Sequence, residues 1–489
     1  MGQIKFGTSG WRGVIAEDFT FAGVRAVSQA IGEYIQAQDA GGKGRGVVVG
    51  YDPRFLSEAF AAEAAGVLAG QGIRVFLCDR DTPTPVIAFE ILRRRAVGGI
   101  NITASHNPPQ YSGVKFSAAW GGPALPAETK TIEERANAIL ADGRAPGGRG
   151  LSLAEAEARG LIVRIDPRPI YLERLGALVD LETIRRARLT IVMDPLYGSA
   201  RDYLDCLLRE AGCEVTLLHD WRDPYFGGRS PEPSQENLGE LASRVSATGA
   251  HLGLATDGDA DRFGLVDADG SFLEPNYFLG LLLFHLVRAR GWTGGVARSV
   301  ATSHLVDAVA RHLNIPVYET PVGFKYIGEL ITQDKLVLGG EESAGLSVKD
   351  HVPEKDGILA CLLAAELVAA RGRACLTTLL QELYAEVGTI LTKRLNYHIE
   401  SRLVAGLQAR LEEPPRRLAD RAVIAVNRLD GVKMILEDGG WLLLRPSGTE
   451  PVVRLYAEAS TPEQLEAIVA EGQALIHAKM ETGNRKTDD

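Results

Sequence analysis

The chain has 489 residues, of which 45% are hydrophobic and 24% are charged. Its 53 Lys and Arg residues stand against 63 Asp and Glu residues, which leaves a formal net charge of -10. This composition excludes collagen-like and disordered chains, and the acidic balance argues against a nucleic-acid-binding surface. The longest apolar stretch, residues 277–286, is far shorter than the about 20 residues that cross a bilayer. At about 150 residues per domain, the length predicts three or four domains.

The cysteine usage predicts a reducing compartment. The five cysteines are odd in number and form no CxxC pair, which is typical of buried thiols and not of disulfides or zinc ligands. Charged Lys5 and Arg12 flank no long apolar run, so we expect no secretory signal peptide. We therefore expect a cytoplasmic protein, monomeric or homodimeric, with no nucleic-acid or membrane partner.

One local pattern occurs three times in the first four-fifths of the chain. An apolar strand is followed by a polar turn, an amphipathic helix and a second strand, an order that predicts βαβ units with right-handed crossovers. The first unit has strands at 46–51 and 73–78 and a helix that begins at Ser57. The second has strands at 189–193 and 214–218 and a helix at 199–211. The third has strands at 296–300 and 316–318 and a helix that is capped by Ser303 and ends near residue 313.

The pattern of predicted strands and helices changes after residue 387. Short segments at 422–427, 432–436 and 441–444 predict antiparallel strands, and 461–479 predicts a final helix. The fold class that we predict is α/β: three related α/β domains with mixed sheets plus a C-terminal α+β domain, arranged around a central cleft. The Gly- and Pro-rich stretch 142–150 is typical of a linker. The predicted boundaries are 1–150, 151–271, 272–387 and 388–489.

The segment 103–116, TASHNPPQYSGVKF, is predicted to be a loop, because it is rich in Pro and Gly. Asn107 precedes two prolines and cannot easily be helical, so the turn would hold Ser105 in a fixed direction. Lys115 could return to the same pocket as a cation or, if its pKa is lowered, as a proton acceptor. The alternative is that Ser105 and Asn107 only satisfy turn amides and that His106 is a packed loop histidine.

The segment 252–265, LGLATDGDADRFGL, ends an apolar strand with three alternating aspartates, Asp257, Asp259 and Asp261. Convergent carboxylates on turn backbone make an oxygen site for Mg²⁺ or Ca²⁺. A helix-flanked calcium loop would need Gly at its sixth position and Glu at its twelfth, and this chain has Arg262 and Ala268 there. The alternative to a metal site is a solvated acidic turn.

Two further segments predict binding of the substrate. In 338–357, Glu341 and Ser343 stand beside glycines, an arrangement that suits recognition of neighbouring sugar hydroxyls; a polar turn between elements is the alternative. Clustered donors in 444–454 suit a phosphate group, although a basic cap on a β-turn would explain them equally well. These donors are Arg445, Ser447, the amide of Gly448, Thr449 and Arg454.

A metal site, a presented serine, a hydroxyl-binding rim and a phosphate cradle together suit one active site for a sugar phosphate. Over essentially its whole length the chain resembles the α-D-phosphohexomutase superfamily of phosphoglucomutases and phosphomannomutases. The signatures FGTSGWRG, TASHNPP, DGDADR, GGEESAG and RPSGTEP follow one another in family order. The resemblance implies an isomerase that moves a phosphoryl group reversibly between O1 and O6 of a hexose. It would act through a phosphoserine and a hexose 1,6-bisphosphate, which is both intermediate and activator.

The resemblance also implies roles for single residues. Ser105 would carry the phosphoryl group and, with Asp257, Asp259 and Asp261, would bind Mg²⁺. The other candidate catalytic residues are Lys115, Arg262, Arg12 and the serine's neighbour His106. The candidate substrate-binding residues are Glu341, Ser343, Lys355, His351, Arg445, Ser447, Gly448, Thr449 and Arg454.

The stretch GEESAGLSVKDHVPEKDG resembles the phosphoglucomutase form of the sugar loop. Forms that end in GEMSGH or GEQSGH place a histidine where this chain has Gly345. We therefore expect interconversion of glucose 1-phosphate and glucose 6-phosphate, with mannose phosphates as alternative substrates and amino sugars disfavoured. Two other classes of function remain open at this point, a metal-dependent phosphatase and a catalytically silent sugar-phosphate sensor.

Overall fold

The computed structural model describes residues 3–7, 10–38, 45–142, 150–398, 401–446 and 452–477. These residues form four main β-sheets with helices packed against them. Each predicted βαβ unit lies in a different one of the first three sheets, and the predicted antiparallel strands lie in the fourth. The predicted fold class is therefore confirmed. Among the described helices, none combines the length and the apolar character needed to span a bilayer.

The first sheet has seven strands and is flanked by five helices. Its strands are β1 (Phe6–Gly7), β2 (Gly10–Val14), β3 (Val47–Tyr51), β4 (Val75–Cys78), β5 (Gly98–Ile102), β6 (Tyr111–Ala118) and β7 (Ile162–Ile165), in the spatial order β1-β2-β6-β5-β3-β4-β7. The helices are α1 (Phe21–Gln38), α2 (Ser57–Gly70), α3 (Thr84–Arg94), α4 (Pro126–Ala141) and α5 (Leu153–Ala158). Because β7 comes from beyond residue 150, the sheet extends past the first predicted boundary; the four boundaries remain predictions.

Strand β6 corrects the prediction that residues 103–116 form a loop throughout. The two prolines occupy the turn before β6, and from Tyr111 onward the chain pairs with both β2 and β5. Gly113 lies inside the sheet, where a Cβ would come within 2.6 Å of the carbonyl oxygens of Thr103 and Trp11. Only glycine fits at this position, because the neighbouring backbones approach too closely for a Cβ. Lys115 consequently projects from a buried strand.

The second sheet has the spatial order β12-β11-β10-β8-β9. A predicted helix at 199–211 begins only at Leu204, because Asp202 has a φ of 64°, which does not fit an α-helix. The elements of this part are α6 (Arg168–Leu178), α7 (Leu181–Ala187), β8 (Thr190–Asp194), α8 (Leu204–Glu210), β9 (Glu214–Leu217), a 3₁₀ turn (Phe226–Gly228), α9 (Gly239–Thr248), β10 (Leu252–Thr256), β11 (Phe263–Asp267) and β12 (Phe272–Leu273).

The third sheet has the order β14-β13-β15-β16. One continuous apolar core joins it to the second sheet, and helix α13 lies in that core with almost all of its residues buried. The elements are α10 (Pro275–Arg288), β13 (Gly295–Ser299), α11 (Leu305–Leu313), β14 (Val317–Thr320), α12 (Phe324–Thr332), β15 (Leu336–Glu341), β16 (Gly345–Val348), α13 (Gly357–Ala370) and α14 (Leu376–Val387).

The fourth sheet is antiparallel, with the order β17-β22-β21-β20-β19-β18. It docks on the third part through the buried Lys433, whose Nζ donates to the carbonyl of Val300 at 2.9 Å. The elements are β17 (Leu391–His398), α15 (Ser401–Glu412), β18 (Arg417–Leu418), β19 (Arg421–Asn427), β20 (Val432–Leu436), β21 (Trp441–Pro446), β22 (Val452–Ala459) and α16 (Pro462–His477).

Candidate functional site

Ser105 lies in the turn that follows β5 and faces the aspartate loop of the second sheet. Its Oγ donates to Oδ2 of Asp257 at 2.8 Å and lies 3.3 Å from Nδ1 of His106. The residue is 1% exposed and adopts a left-handed φ of 52°, a conformation that costs an L-amino acid about 1–2 kcal/mol. The surrounding structure therefore holds the serine in an unfavourable backbone conformation that aims its hydroxyl at the carboxylates.

The turn is held by Arg54 and Asp52, two buried residues that the sequence analysis missed. Nε of Arg54 donates to Asp52 at 3.0 Å, and Asp52 accepts a hydrogen bond from Thr103, whose Oγ1 accepts from the Ser105 amide. The sequence signal that could have identified Asp52 and Arg54 is their position as an oppositely charged pair directly after a buried strand. The carbonyls that accept from the Arg54 guanidinium belong to Ser105 at 2.6 Å, Asn107 at 2.7 Å, Pro108 at 2.8 Å and Tyr111 at 3.0 Å.

The three aspartates follow β10 and are almost completely buried, so the alternative of a solvated acidic turn is wrong. Each offers one oxygen, and these oxygens all lie within 4.8 Å of one another. Oδ1 of Asp259 and Oδ1 of Asp261 are buried without a hydrogen-bond partner in the described structure. A Cβ on Gly258 would lie 2.8 Å from the carbonyl oxygen of Ser105, so the two loops meet at their backbones. Buried carboxylate oxygens in this arrangement could hold a hard metal ion.

Cationic side chains surround the triad. Nζ of Lys115 lies 2.6 Å from Asp259 and 2.7 Å from Asp261, and Nζ of Lys355 lies 3.2 Å from Asp261. Nε of Arg262 is 3.9 Å from Asp261. Burial alone would lower the pKa of Lys115, but Asp259 and Asp261 outweigh it and raise that pKa. Lys115 is thus a cation beside the two carboxylates in this structure, without the lowered pKa that a proton acceptor would need.

Asp257 and Asp261 differ in their affinity for protons. Burial, followed by repulsion from Asp259 and Asp261, raises the pKa of Asp257 well above its usual value. Burial also opposes ionisation of Asp261, but Lys115 and Lys355 outweigh it and lower its pKa. A cation bound by the triad would reduce the repulsion that raises the pKa of Asp257.

Arg12 and His106 complete the wall on the side of the first sheet. Nη1 of Arg12 donates to Oδ1 of Asn107 at 2.6 Å, on the serine turn. Burial, then the charges of Arg262 and Arg12, lower the pKa of His106 well below its usual value. The imidazole is thus neutral at pH 7 and can accept or donate a hydrogen bond beside Ser105.

The structure places the predicted sugar-binding residues of the segment 338–357 in different surroundings. Glu341 ends β15, is buried and accepts from the amide of Gly323 at 2.7 Å; burial and the nearby Glu342 raise its pKa to about 7. Ser343 lies in the turn between β15 and β16 and is half-buried. Lys355 reaches the triad, as described above. His351 does not, because its ring is fully buried and Nε2 lies 2.7 Å from Oδ2 of Asp356, at the start of α13.

The predicted phosphate-binding residues are only partly described. Ser447, Gly448 and Thr449 lie outside the described residues. Arg445 is on β21, where its Nε is 2.8 Å from Oδ1 of Asp430, and Arg454 is opposite it on β22. The structure thus unites Ser105, His106, Lys115, Arg12, Arg262, Lys355 and the three aspartates, and leaves these two arginines on a separate sheet.

Comparison with known protein families covers most of the chain. Four regions match the "Phosphoglucomutase/phosphomannomutase" descriptions: 3–142 matches alpha/beta/alpha domain I, 169–270 domain II, 274–387 domain III and 407–473 the C-terminal domain. The order of these matches follows the order of the four sheets.

Named relatives differ in the hexose that their names give. A phosphoglucomutase/phosphomannomutase of Thermococcus kodakarensis is 31% identical, over 97% of this chain and 99% of the relative. A probable phosphoglucosamine mutase of Methanothermobacter thermautotrophicus is 32% identical, over 94% of each chain. A crystal structure from Thermus thermophilus, which carries a phosphomannomutase assignment, is 36% identical. It has a TM-score of 0.84 over 98% of this chain and 100% of its own.

Proposed function

This chain belongs to the phosphoglucomutase/phosphomannomutase family, whose members are phosphohexomutases, and we propose that it interconverts glucose 1-phosphate and glucose 6-phosphate. The observation that carries the phosphoryl-transfer part of the proposal is the 2.8 Å hydrogen bond from the Ser105 hydroxyl to Asp257, within a buried triad of carboxylates. Loops from two different sheets meet there and bring a hydroxyl that can carry a phosphoryl group next to an acidic site that can bind a metal ion.

The proposed reaction begins with a phosphoryl group on Ser105. A sugar hydroxyl attacks the phosphorus, the new P–O bond to the sugar forms, and the P–Oγ bond to Ser105 breaks. The proton of the attacking hydroxyl is balanced by the proton that Ser105 regains, and the free hydroxyl then donates to Asp257 as it does in this structure. The product is a hexose 1,6-bisphosphate, and reversal at its other phosphate completes the isomerisation.

The residues around the serine supply charge and position. Mg²⁺, held by Asp257, Asp259 and Asp261, would withdraw charge from the oxygens of the transferring group. Lys115 and Arg262 lie next to the triad and can stabilise the negative charge that spreads over those oxygens in a loose transition state. The buried position of Ser105 limits access of water, which favours transfer to a sugar over hydrolysis.

The bisphosphate has to turn end for end between the two transfers. The phosphate that does not react would bind at the C-terminal loop, through Arg445 and the neighbouring residues 447–449. Arg445 is placed on the fourth sheet, so a substrate that spans the cleft would contact residues of all four parts. Such a cradle is needed for isomerisation and not for simple hydrolysis.

The preference for glucose is supported by the packing at Gly345. A Cβ there would come within 2.2 Å of Cδ of Lys355, so the histidine found in the GEMSGH and GEQSGH forms would displace Lys355. Because Lys355 bonds to Asp261 and Glu354, that displacement would alter the wall of the site. The wall of the site in this chain is therefore built with Lys355 and with no side chain at position 345.

Steady-state kinetics with the 1-phosphates of glucose, mannose and glucosamine tests the substrate. Glucose 1-phosphate is expected to give the highest kcat/KM, mannose 1-phosphate a lower one, and a clear preference for glucosamine 1-phosphate would overturn the assignment. Release of inorganic phosphate faster than isomerisation would instead indicate a phosphatase, and no turnover of any of the three would indicate a sensor.

Intact-mass analysis tests the phosphoserine. Wild-type protein treated with glucose 1,6-bisphosphate is expected to gain the mass of one phosphoryl group, and Ser105→Ala is expected to gain none. Ser112→Ala is a matched control, because Ser112 is a buried serine on the adjacent strand; it should be labelled like wild type. Equal labelling of the Ser105→Ala protein would contradict the proposal.

A further inference from the structure

Thr84, at the start of α3 beside the first sheet, contacts Asp259 at two points across the interface with the second sheet. Its amide donates to the carbonyl oxygen of Asp259 at 2.9 Å. Its Oγ1 donates to Oδ2 of the same residue at 2.5 Å. Thr84 is 2% exposed, so this double contact is shielded from water. Both the backbone and the carboxylate of Asp259 are therefore located by one residue of another part of the chain.

The direction of this contact is set by Asn101 on β5. Nδ2 of Asn101 lies 2.8 Å from Oγ1 of Thr84. An ionised carboxylate can only accept hydrogen bonds, so the single hydroxyl proton of Thr84 points to Asp259. The hydroxyl oxygen is then an acceptor, and the amide of Asn101 fills that position. The pair forms a relay with one possible polarity, from Asn101 through Thr84 to Asp259.

The relay divides the two oxygens of Asp259 between different tasks. Oδ2 accepts from both Thr84 and Nζ of Lys115, the latter at 2.6 Å. Oδ1 is buried and has no hydrogen-bond partner in the described structure. A carboxylate with one oxygen bound by two donors has the other oxygen available for a cation.

We propose that Thr84, oriented by Asn101, is a positioning residue that holds Asp259 with Oδ1 available to a divalent cation and so raises the metal affinity of the triad. The inference rests on the metal site of the proposed function and adds to it a residue from another part of the chain. Hydrogen-bond partners of metal-binding carboxylates commonly change metal affinity by about 10–100-fold when they are removed.

The test compares Thr84→Val with Thr84→Ser in the full-length, unphosphorylated protein. Valine keeps the shape of threonine and removes the donor, whereas serine keeps the donor. Mn²⁺ binding is measured by electron paramagnetic resonance and calorimetry. The expected result is a loss of affinity of about 10–100-fold in Thr84→Val, with near wild-type affinity in Thr84→Ser.

Thr82→Val is the matched control. Thr82 is also fully buried, two residues earlier, and its Oγ1 donates at 2.8 Å to the carbonyl of Arg80, which is not a metal ligand. Thr82→Val is expected to lower thermal stability and leave Mn²⁺ affinity unchanged, so general destabilisation is separated from positioning. A second variant, Asn101→Leu, is measured alongside and should also weaken Mn²⁺ binding. It keeps the inference testable if Thr84→Val does not fold.

Two outcomes would count against the inference in distinguishable ways. Equal Mn²⁺ affinity of wild type and the folded relay variants would overturn the inference alone. Absence of Mn²⁺ binding to wild type would overturn the metal site of the proposed function and, with it, the inference. At saturating Mg²⁺, turnover of Thr84→Val is expected to approach that of wild type, with the change confined to the Mg²⁺ concentration that half-activates the enzyme.

Discussion

Replacing Arg54 by methionine tests whether the serine turn is held in its strained conformation by the buried guanidinium. Methionine fills a similar volume and has no donor. The variant would remove the hydrogen bonds to four backbone carbonyls of the turn and the contact with Asp52. Burial raises the pKa of Asp52 and Arg54 counters that shift, so Asp52 is expected to take up a proton in the variant. It would retain its bonds from Thr103 and Ser57, and the carbonyls then bear most of the loss.

The magnitude follows from those four carbonyls. A buried acceptor left without a donor costs about 1–3 kcal/mol. Part of the turn is only partly buried, so water can reach some of the acceptors and the lower limit applies. We therefore expect Arg54→Met to lose about 4 kcal/mol of unfolding free energy. Ser105, no longer held at its positive φ, would relax away from Asp257, and a misplacement of about 1 Å lowers catalysis about 100-fold.

Two measurements separate these effects. Urea unfolding gives the stability, and the rate of single-turnover labelling by glucose 1,6-bisphosphate gives the placement of the hydroxyl. Arg298→Met is the control, because Arg298 is a buried arginine of the third sheet that pairs with Asp307. It should lose stability and retain the labelling rate. Arg54→Lys is expected to recover little, since an ammonium cannot reach four carbonyls. A folded Arg54→Met protein that is labelled at the wild-type rate would refute the reasoning.

Two further predictions concern charge. Lys115→Met leaves Asp259 and Asp261 without their closest cation. Millimolar Mg²⁺ is therefore expected to raise the melting temperature of this variant more than that of wild type. An equal or smaller rise would contradict the role of Lys115 as a counter-charge. Burial raises the pKa of Glu341 from its usual 4.5 to about 7, so the folded protein keeps this proton to a higher pH than the unfolded chain does. The contribution of Glu341 to the unfolding free energy should therefore be largest below pH 4.5 and fall by up to about 3 kcal/mol as the pH rises to 7. Urea unfolding of wild type and Glu341→Gln across this range tests it, and a difference between them that does not change with pH would exclude the effect.

The sequence predicted those features that depend on neighbouring residues. Three βαβ units are visible in it because alternation between apolar strands and amphipathic helices acts over short distances. The aspartate triad is visible because three carboxylates at alternate positions of one short turn are kept close together by the chain itself. The chemical character of Ser105, as a hydroxyl presented on a stiff turn, likewise follows from the prolines beside it.

Errors arose where distant contacts outweigh local preference. The segment 103–116 is predicted as a loop from its Gly and Pro content, but β2 and β5 supply hydrogen bonds on both sides of its last six residues and make them part of a strand. His351 stays a predicted substrate contact, and only the structure shows that its ring is buried with Nε2 beside Oδ2 of Asp356. Neither outcome could be read from the residues that adjoin these positions.

The sequence by itself therefore determined the chemical groups, their order and the local turns that present them. Only the tertiary structure decided which groups share a site and in which protonation state. It brought Arg54 under the serine turn, Thr84 against Asp259 and Lys115 between two carboxylates. The physical reason is that hydrogen bonds and charges act over a few ångströms in space, and residues more than a hundred positions apart become neighbours only after the sheets have packed together.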